Sequence, residues 1–225
     1  MEARDLRRIA RDNLSGNWWL SVGVAFVAAL LGGLIASAGT SFNIKIDDQT
    51  IQTMSPEMLR FYSVFTSAAS IFSFVTFLVG GTVQLGYARF LLKQYSKADF
   101  EFHDLFSQFH RFGQGFAQAF LRGLYTFLWA LLFIIPGIVK SYAYAMTPFI
   151  MAENPNLTAN EAITASKEMM QGHKGRLFFL DLSFFGWMLL CALTLGIGNL
   201  FLAPYMNASR AAFYKDLTNQ GVIHE

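Results

Sequence analysis

The chain has 225 residues; 54% are hydrophobic before its 18 glycines are counted, and only 14% are charged. Ordinary soluble domains run at roughly 45–50% apolar with glycine included and about 25% charged, so this much apolar surface cannot be hidden in one soluble domain, and the composition is the reverse of the disorder signature. A net charge of +2 is too slight to point to nucleic acid, and the single cysteine, Cys191, lies in an apolar run, which leaves no disulfide framework and no cysteine metal cluster.

Residues 1–17 read as a cytoplasmic amphipathic helix, with Leu6, Ile9, Ala10 and Leu14 on one face before Gly16. A hydrocarbon core of about 30 Å takes roughly 20 apolar residues as helix. Asn13 to Ile44 holds no ionisable residue, and residues 18–41 make a first span; residues 61–88, equally free of charge, make a second. Ala36-Ser37-Ala38 resembles a signal-peptidase site, but the apolar stretch exceeds a signal core and begins only at Trp18, so the span is read as uncleaved. Gly32, Ala36 and Thr40, like Gly33, Ser37 and Ser41, have the small-residue spacing that allows close helix packing.

Phe102, Leu105, Phe106, Phe109 and Phe112 form a second amphipathic stretch before Gly113. Residues 116–135 and 138–151 read as the third and fourth spans. One continuous helix from Gly123 to Met151 would run about 43 Å, and Pro136-Gly137 is a natural place to reverse. Thr158 and Glu161 make a capping box that opens a third cytoplasmic helix over 158–172, with Ala162, Ile163, Met169 and Met170 on one face. Residues 177–195 and 199–214 are the fifth and sixth spans, divided by Leu195-Gly196-Ile197-Gly198.

Cytoplasmic loops collect lysine and arginine. Six spans with the N-terminus inside place only Lys45, Arg60 and Lys140 of the 17 basic residues outside. A four-span topology would put Lys167, Lys174 and Arg176 outside and spoil that bias. The second and sixth spans also end alike, in "ARFLLKQY" and "SRAAFYKDL". An amphipathic stretch precedes each hairpin, which predicts three units of interfacial helix plus hairpin; chance similarity among Phe-rich segments is the competing reading.

Asp181, inside the fifth span, is an intramembrane carboxylate that requires a partner. Arg210 falls at similar depth on a helix running the other way, and an Asp181–Arg210 pair serves either structure or a proton or solute relay. Lys140 follows Pro136-Gly137; it either snorkels outward or, with Tyr142 and Tyr144, meets an anionic headgroup near the break. His103 and His110 have poor metal spacing, and "GGTVQLG" at Gly80 to Gly86 lacks the lysine and strand context of a phosphate loop. No catalytic, cofactor or metal residue is expected.

From Pro136 to Leu217, the Pro-Gly-Ile-x-Lys turn, the Glu-Asn-Pro step, the Met-x-Gly-x-Lys stretch and the Gly-Trp, Gly-Ile-Gly and Pro-Tyr elements, supported by "SGNWW" at Ser15 to Trp19, resemble the bacterial family called domain of unknown function 975. That resemblance implies a multi-pass membrane protein, chiefly of Gram-positive bacteria, without an established activity. More loosely the chain is similar to membrane portions found beside glycerophosphodiesterase domains, of which it carries none.

The expectation is therefore an all-α integral protein of the bacterial cell membrane, with about six transmembrane helices, short amphipathic cytoplasmic helices and both termini cytoplasmic. The leading function is a non-catalytic component engaging anionic lipid headgroups or a protein partner. The alternatives are a small-solute or lipid transporter using Pro136-Gly137 and Asp181, and third a lipid-headgroup enzyme.

Overall fold

The computed structural model describes residues 2–33, 55–194, 196 and 198–219, and all their regular structure is helical. Residues 34–41 of the expected first span, with Ala36-Ser37-Ala38 and the small-residue stripe beyond Gly32 and Gly33, lie outside the described residues, as do Lys45, Leu195, Ile197 and His224.

Helix α1 (Ala3–Leu14) opens with a capping box between Glu2 and Asp5. Gly16 then takes φ +87°, a left-handed conformation that glycine adopts without penalty, and the chain turns through 104° into α2 (Trp18–Ala28) and a wider turn at Ala29–Gly33. Helix α3 (Pro56–Tyr95) starts with Ser55 accepting from the Met58 N–H and proline in the first turn. Its 40 residues are about 60 Å long, twice a bilayer core, so the expected second span is only its middle.

Among the described residues, paired contacts define three antiparallel hairpins. In the first, α2 meets the end of α3: Gln94 Nε2 donates to Ser21 Oγ at 2.8 Å, and a Cβ on Gly32 would lie 2.3 Å from the Gly80 Cα. The second pairs α4 (Phe112–Leu132) with α5 (Ile134–Ala143), bringing the rings of Tyr125 and Tyr144 to 6.4 Å. The third pairs α8 (Lys174–Leu182) and α9 (Phe185–Leu193) with α10 (Asn199–Asn219), where the rings of Phe184 and Tyr205 are 5.2 Å apart. Between the second and third hairpins lie α6 (Thr147–Glu153) and α7 (Ala159–Met169), the latter opened by the expected Thr158–Glu161 capping box.

Several expectations are corrected. The second hairpin reverses at Phe133, whose φ −156° and ψ 142° are extended, and not at Pro136-Gly137. Pro136 sits in the first turn of α5, where a missing N–H breaks no helical bond. Gly137 instead permits close packing, since a Cβ there would lie 2.8 Å from the Ala130 Cα. Residues 138–151 are not one helix, because residues 144–146 separate α5 from α6. The second amphipathic stretch is a pair of 3-10 turns, Phe102–Phe106 and Phe109–Arg111. Among the described residues two stretches, Pro56–Tyr95 and Lys174–Leu193, are long and apolar enough to cross a membrane, or three if the bent pair ending at Gly32 counts as one. Helix α4 is long enough but carries Gln114, Gln118 and Arg122, and α5 and α6 are each too short.

The buried core lies where the returning legs converge. The end of α3 contributes Leu85, Phe90 and Leu91, α6 contributes Ile150 and Met151, and α10 contributes Phe213, Tyr214 and Leu217. The Phe149 and Tyr214 rings stack at 5.6 Å to join the last two. Two segments ahead of a hairpin pack on a returning leg, α1 on α10 and the Phe102–Phe106 turn on α3, while α7 packs on α6, which follows the second hairpin, and on the outgoing leg α4. Leu6, Ala10 and Leu14 of α1, and Ala162, Ile163 and Met169 of α7, are buried by these contacts. Their apolar faces therefore meet protein rather than an open surface.

Candidate polar site inside the bundle

The charged groups occupy two levels. At the end of the bundle where the amphipathic segments lie, Lys93 pairs with Asp104 at 2.6 Å and Arg176 with Asp216 at 2.5 Å, while Lys215 pairs with Glu153. The Tyr214 hydroxyl donates to the same glutamate at 2.6 Å. Burial pushes the Glu153 carboxyl up, but the Lys215 and Tyr214 bonds outweigh it and hold the group below its ordinary range. Arg111 ties this end together: its Nη1 donates to Gln108 and to the Met151 carbonyl, and its Nη2 to Gln114 and the Pro155 carbonyl. With Nε also donating to Gln114 at 2.8 Å, its donors are fully engaged.

The second level, at Asp181 and Arg210, lies about 8 Å further along α8 and α10, between the hairpins. Asp181 of α8 accepts from Arg210 of α10 through both oxygens, Oδ1 from Nε at 3.2 Å and Oδ2 from Nη2 at 2.9 Å. This bidentate fork is the strong form of a charge-assisted bond. The Tyr142 hydroxyl of α5 lies beside the same carboxylate. Helix α4 sends in Arg122, close enough to Arg210 for the like charges to repel, and its Nη2 donates to Gln84 Oε1 of α3 at 2.9 Å. One turn earlier on α4, Gln118 is fully buried; its Nε2 donates to the Gly81 carbonyl at 3.4 Å and its Oε1 has no partner. Tyr87 Oη, three residues beyond Gln84 and beside Asn207, is likewise buried without a well-formed hydrogen bond.

The structure thus joins Asp181 and Arg210, as their depths in the sequence allow. It places Lys140 elsewhere, with its Nζ 4.4 Å from the centre of the Trp129 ring beside the Phe133 corner. Pro136 and Gly137 serve that corner and contribute nothing to the polar level. Sequence reasoning missed Arg122, which the charge count placed with the inner loops. The available signal was that Arg122 is the sole charge between Arg111 and Lys140 and falls inside the expected third span. A cleft of about 450 Å³ opens at the charged end, lined by Asn13, Asn17, Gln94 and Lys97 among others. Among the described residues no group of three or more His, Cys, Asp and Glu could hold a metal ion.

Residues 131–221 match the family model described as "Protein of unknown function (DUF975)". The match spans less than half of the chain and contains the Pro136 to Leu217 stretch whose motifs carry the resemblance, while "SGNWW" lies outside it. No curated protein and no solved structure matches.

Proposed function

We propose that this chain, with its DUF975 stretch, is a multi-pass protein of the bacterial cell membrane that crosses six times and keeps both termini cytoplasmic. It acts there as a non-catalytic component engaging lipid or protein partners. The observation that carries this reading is the division of its surface. Around the hairpin corners, Leu131, Phe133, Ile134, Ile135 and Leu193 are each 71–80% exposed, whereas the ion pairs gather at the opposite end. Exposed apolar surface on that scale needs hydrocarbon around it.

Lys140 against Trp129 fits a corner at the outer interface, where a lysine reaches the headgroups and tryptophan is favoured. The three hairpins, each preceded by a segment that packs on an earlier or later part of the bundle, support the threefold repeat, with α1 on α10 closing the cycle. Because the apolar faces of α1 and α7 are occupied by protein, headgroup contact falls to the basic face of α1 and to Phe102, Phe109 and Phe112, which are about 40% exposed. A second reading, transport of a small solute or lipid, is favoured by the polar level around Asp181 and Arg210.

Alkaline carbonate washing of membranes from expressing cells tests the integral reading. The full chain should stay in the membrane pellet and leave it only with detergent. Recovery in the wash supernatant would overturn the proposal.

A further inference from the structure

The cleft at the charged end is bordered by charges that face one space without pairing. Asp12 near the end of α1, Lys97 just past α3 and Asp99 two residues on all line the same cavity of about 450 Å³, and all three are exposed. Among the described residues none of them forms an ion pair. Opposite charges that border a common space and do not meet leave it to an occupant carrying both signs.

The walls sort those signs. Asn17, another lining residue, opens the 11-residue α2 without a side-chain cap, so the first-turn N–H groups stand unclaimed by any capping side chain. With the Lys97 ammonium they make the surroundings that a phosphate favours. Asp12 and Asp99 favour an ammonium instead. Gln94, 2% exposed, is also part of the wall; its Nε2 is committed to Ser21, and its unpaired carbonyl oxygen adds partial negative charge.

Lys97 holds its place at a conformational cost. It follows α3 at φ +52°, the left-handed region where glycine is the usual residue, and among the described residues no other non-glycine has a positive φ. Stability alone favours glycine there, and the ammonium is what glycine would forfeit.

We propose that this cleft binds an aminoethyl phosphate, the group shared by free phosphoethanolamine and the phosphatidylethanolamine headgroup. Its phosphate lies toward Lys97 and the start of α2, and its ammonium toward Asp12 and Asp99. Carboxylates take the N–H donors of a primary ammonium directly, and a quaternary ammonium has none to give. The lipid source rests on the membrane reading above and the free source does not, and the carbonate wash tests that reading separately.

The full chain is purified in neutral detergent or placed in phosphatidylcholine discs, and its melting midpoint is followed by tryptophan fluorescence. One arm titrates phosphoethanolamine into the detergent sample, and the other adds phosphatidylethanolamine to the discs. One of these probes should raise the wild-type midpoint, identifying the source, and phosphocholine in place of phosphoethanolamine should not. Lys97→Gly and Asp99→Asn should each weaken the response about tenfold or more, the loss expected for a charge-assisted bond. Lys167→Gln, on the exposed face of α7, should retain it. Without added probe Lys97→Gly should melt no lower than wild type, because glycine takes the left-handed conformation freely. The assignment is overturned if neither probe moves the wild-type midpoint, if phosphocholine matches phosphoethanolamine, or if either cleft variant responds as wild type does. A lower probe-free midpoint for Lys97→Gly would equally overturn it, by making the lysine a structural member of the turn.

Discussion

Replacing Asp181 with asparagine should lower the stability of the detergent-purified protein by about 2–3 kcal/mol, read as a fall in its melting midpoint. The side chain is isosteric, so packing is unchanged, but the fork to Arg210 loses its charge. Arg210 is then left beside Arg122 with no carboxylate to offset either of them. A fully buried pair broken on one side costs roughly 3–5 kcal/mol. The smaller figure is chosen because the Arg210 side chain is 38% exposed and its charge is partly screened. The double change Asp181→Asn with Arg210→Gln should recover most of the loss, since it removes the stranded charge as well. A double variant no more stable than the single one would show that the pair is not what holds α8 to α10.

The other large effect concerns Gly86, where the chain ahead of the second hairpin lies directly on α3. A Cβ at Gly86 would fall 1.9 Å from the Leu105 carbonyl oxygen and 2.6 Å from its carbon. Both are backbone atoms, so no rotamer change can relieve the clash, and the Phe102–Phe106 turn must lift. Leu105, now fully buried, would open, and Asp104 would be drawn from Lys93. Gly86→Ala should therefore cost about 2–3 kcal/mol as an overpacked contact. Gly123→Ala is the matched control: it also lies within a helix but has open space around its Cβ position, and it should cause no loss. Equal melting of the two variants would contradict the close approach.

How much of this could be read beforehand depends on the kind of signal each element gives. Hairpins were legible because apolar runs too long for one crossing must be interrupted. Gly196 at φ +88° stands within the division foreseen for the third. The corner of the second was misplaced by three residues, because proline marks a helix start as readily as a turn and sequence alone does not choose between them. The Phe102–Phe112 stretch has apolar residues three and four apart, a spacing that short 3-10 turns satisfy as well as an α-helix does.

At the polar level, Asp181 and Arg210 could be paired by depth alone. Arg122 could not, because its placement depends on which face α4 turns toward α3. That choice is set by the contact between Gly81 and Gly115, where a Cβ on Gly81 would lie 2.2 Å from the Gly115 carbonyl oxygen. The glycines of "GGTVQLG" lie within α3. Their role as a surface on which helices close became visible only once partners were in place.

The central claim is that the hairpins carry the chain to the far side of a membrane and back. The most direct measurement is labelling by a membrane-impermeant maleimide in intact cells, with Cys191 replaced by serine and single cysteines at Ile134, Ala192 and Lys167. Ile134→Cys and Ala192→Cys, at or near the corners, should react from outside, and Lys167→Cys, on α7, should react only after the cells are opened. Labelling of Lys167→Cys in intact cells, or corner cysteines that react only from within, would contradict the six-pass account.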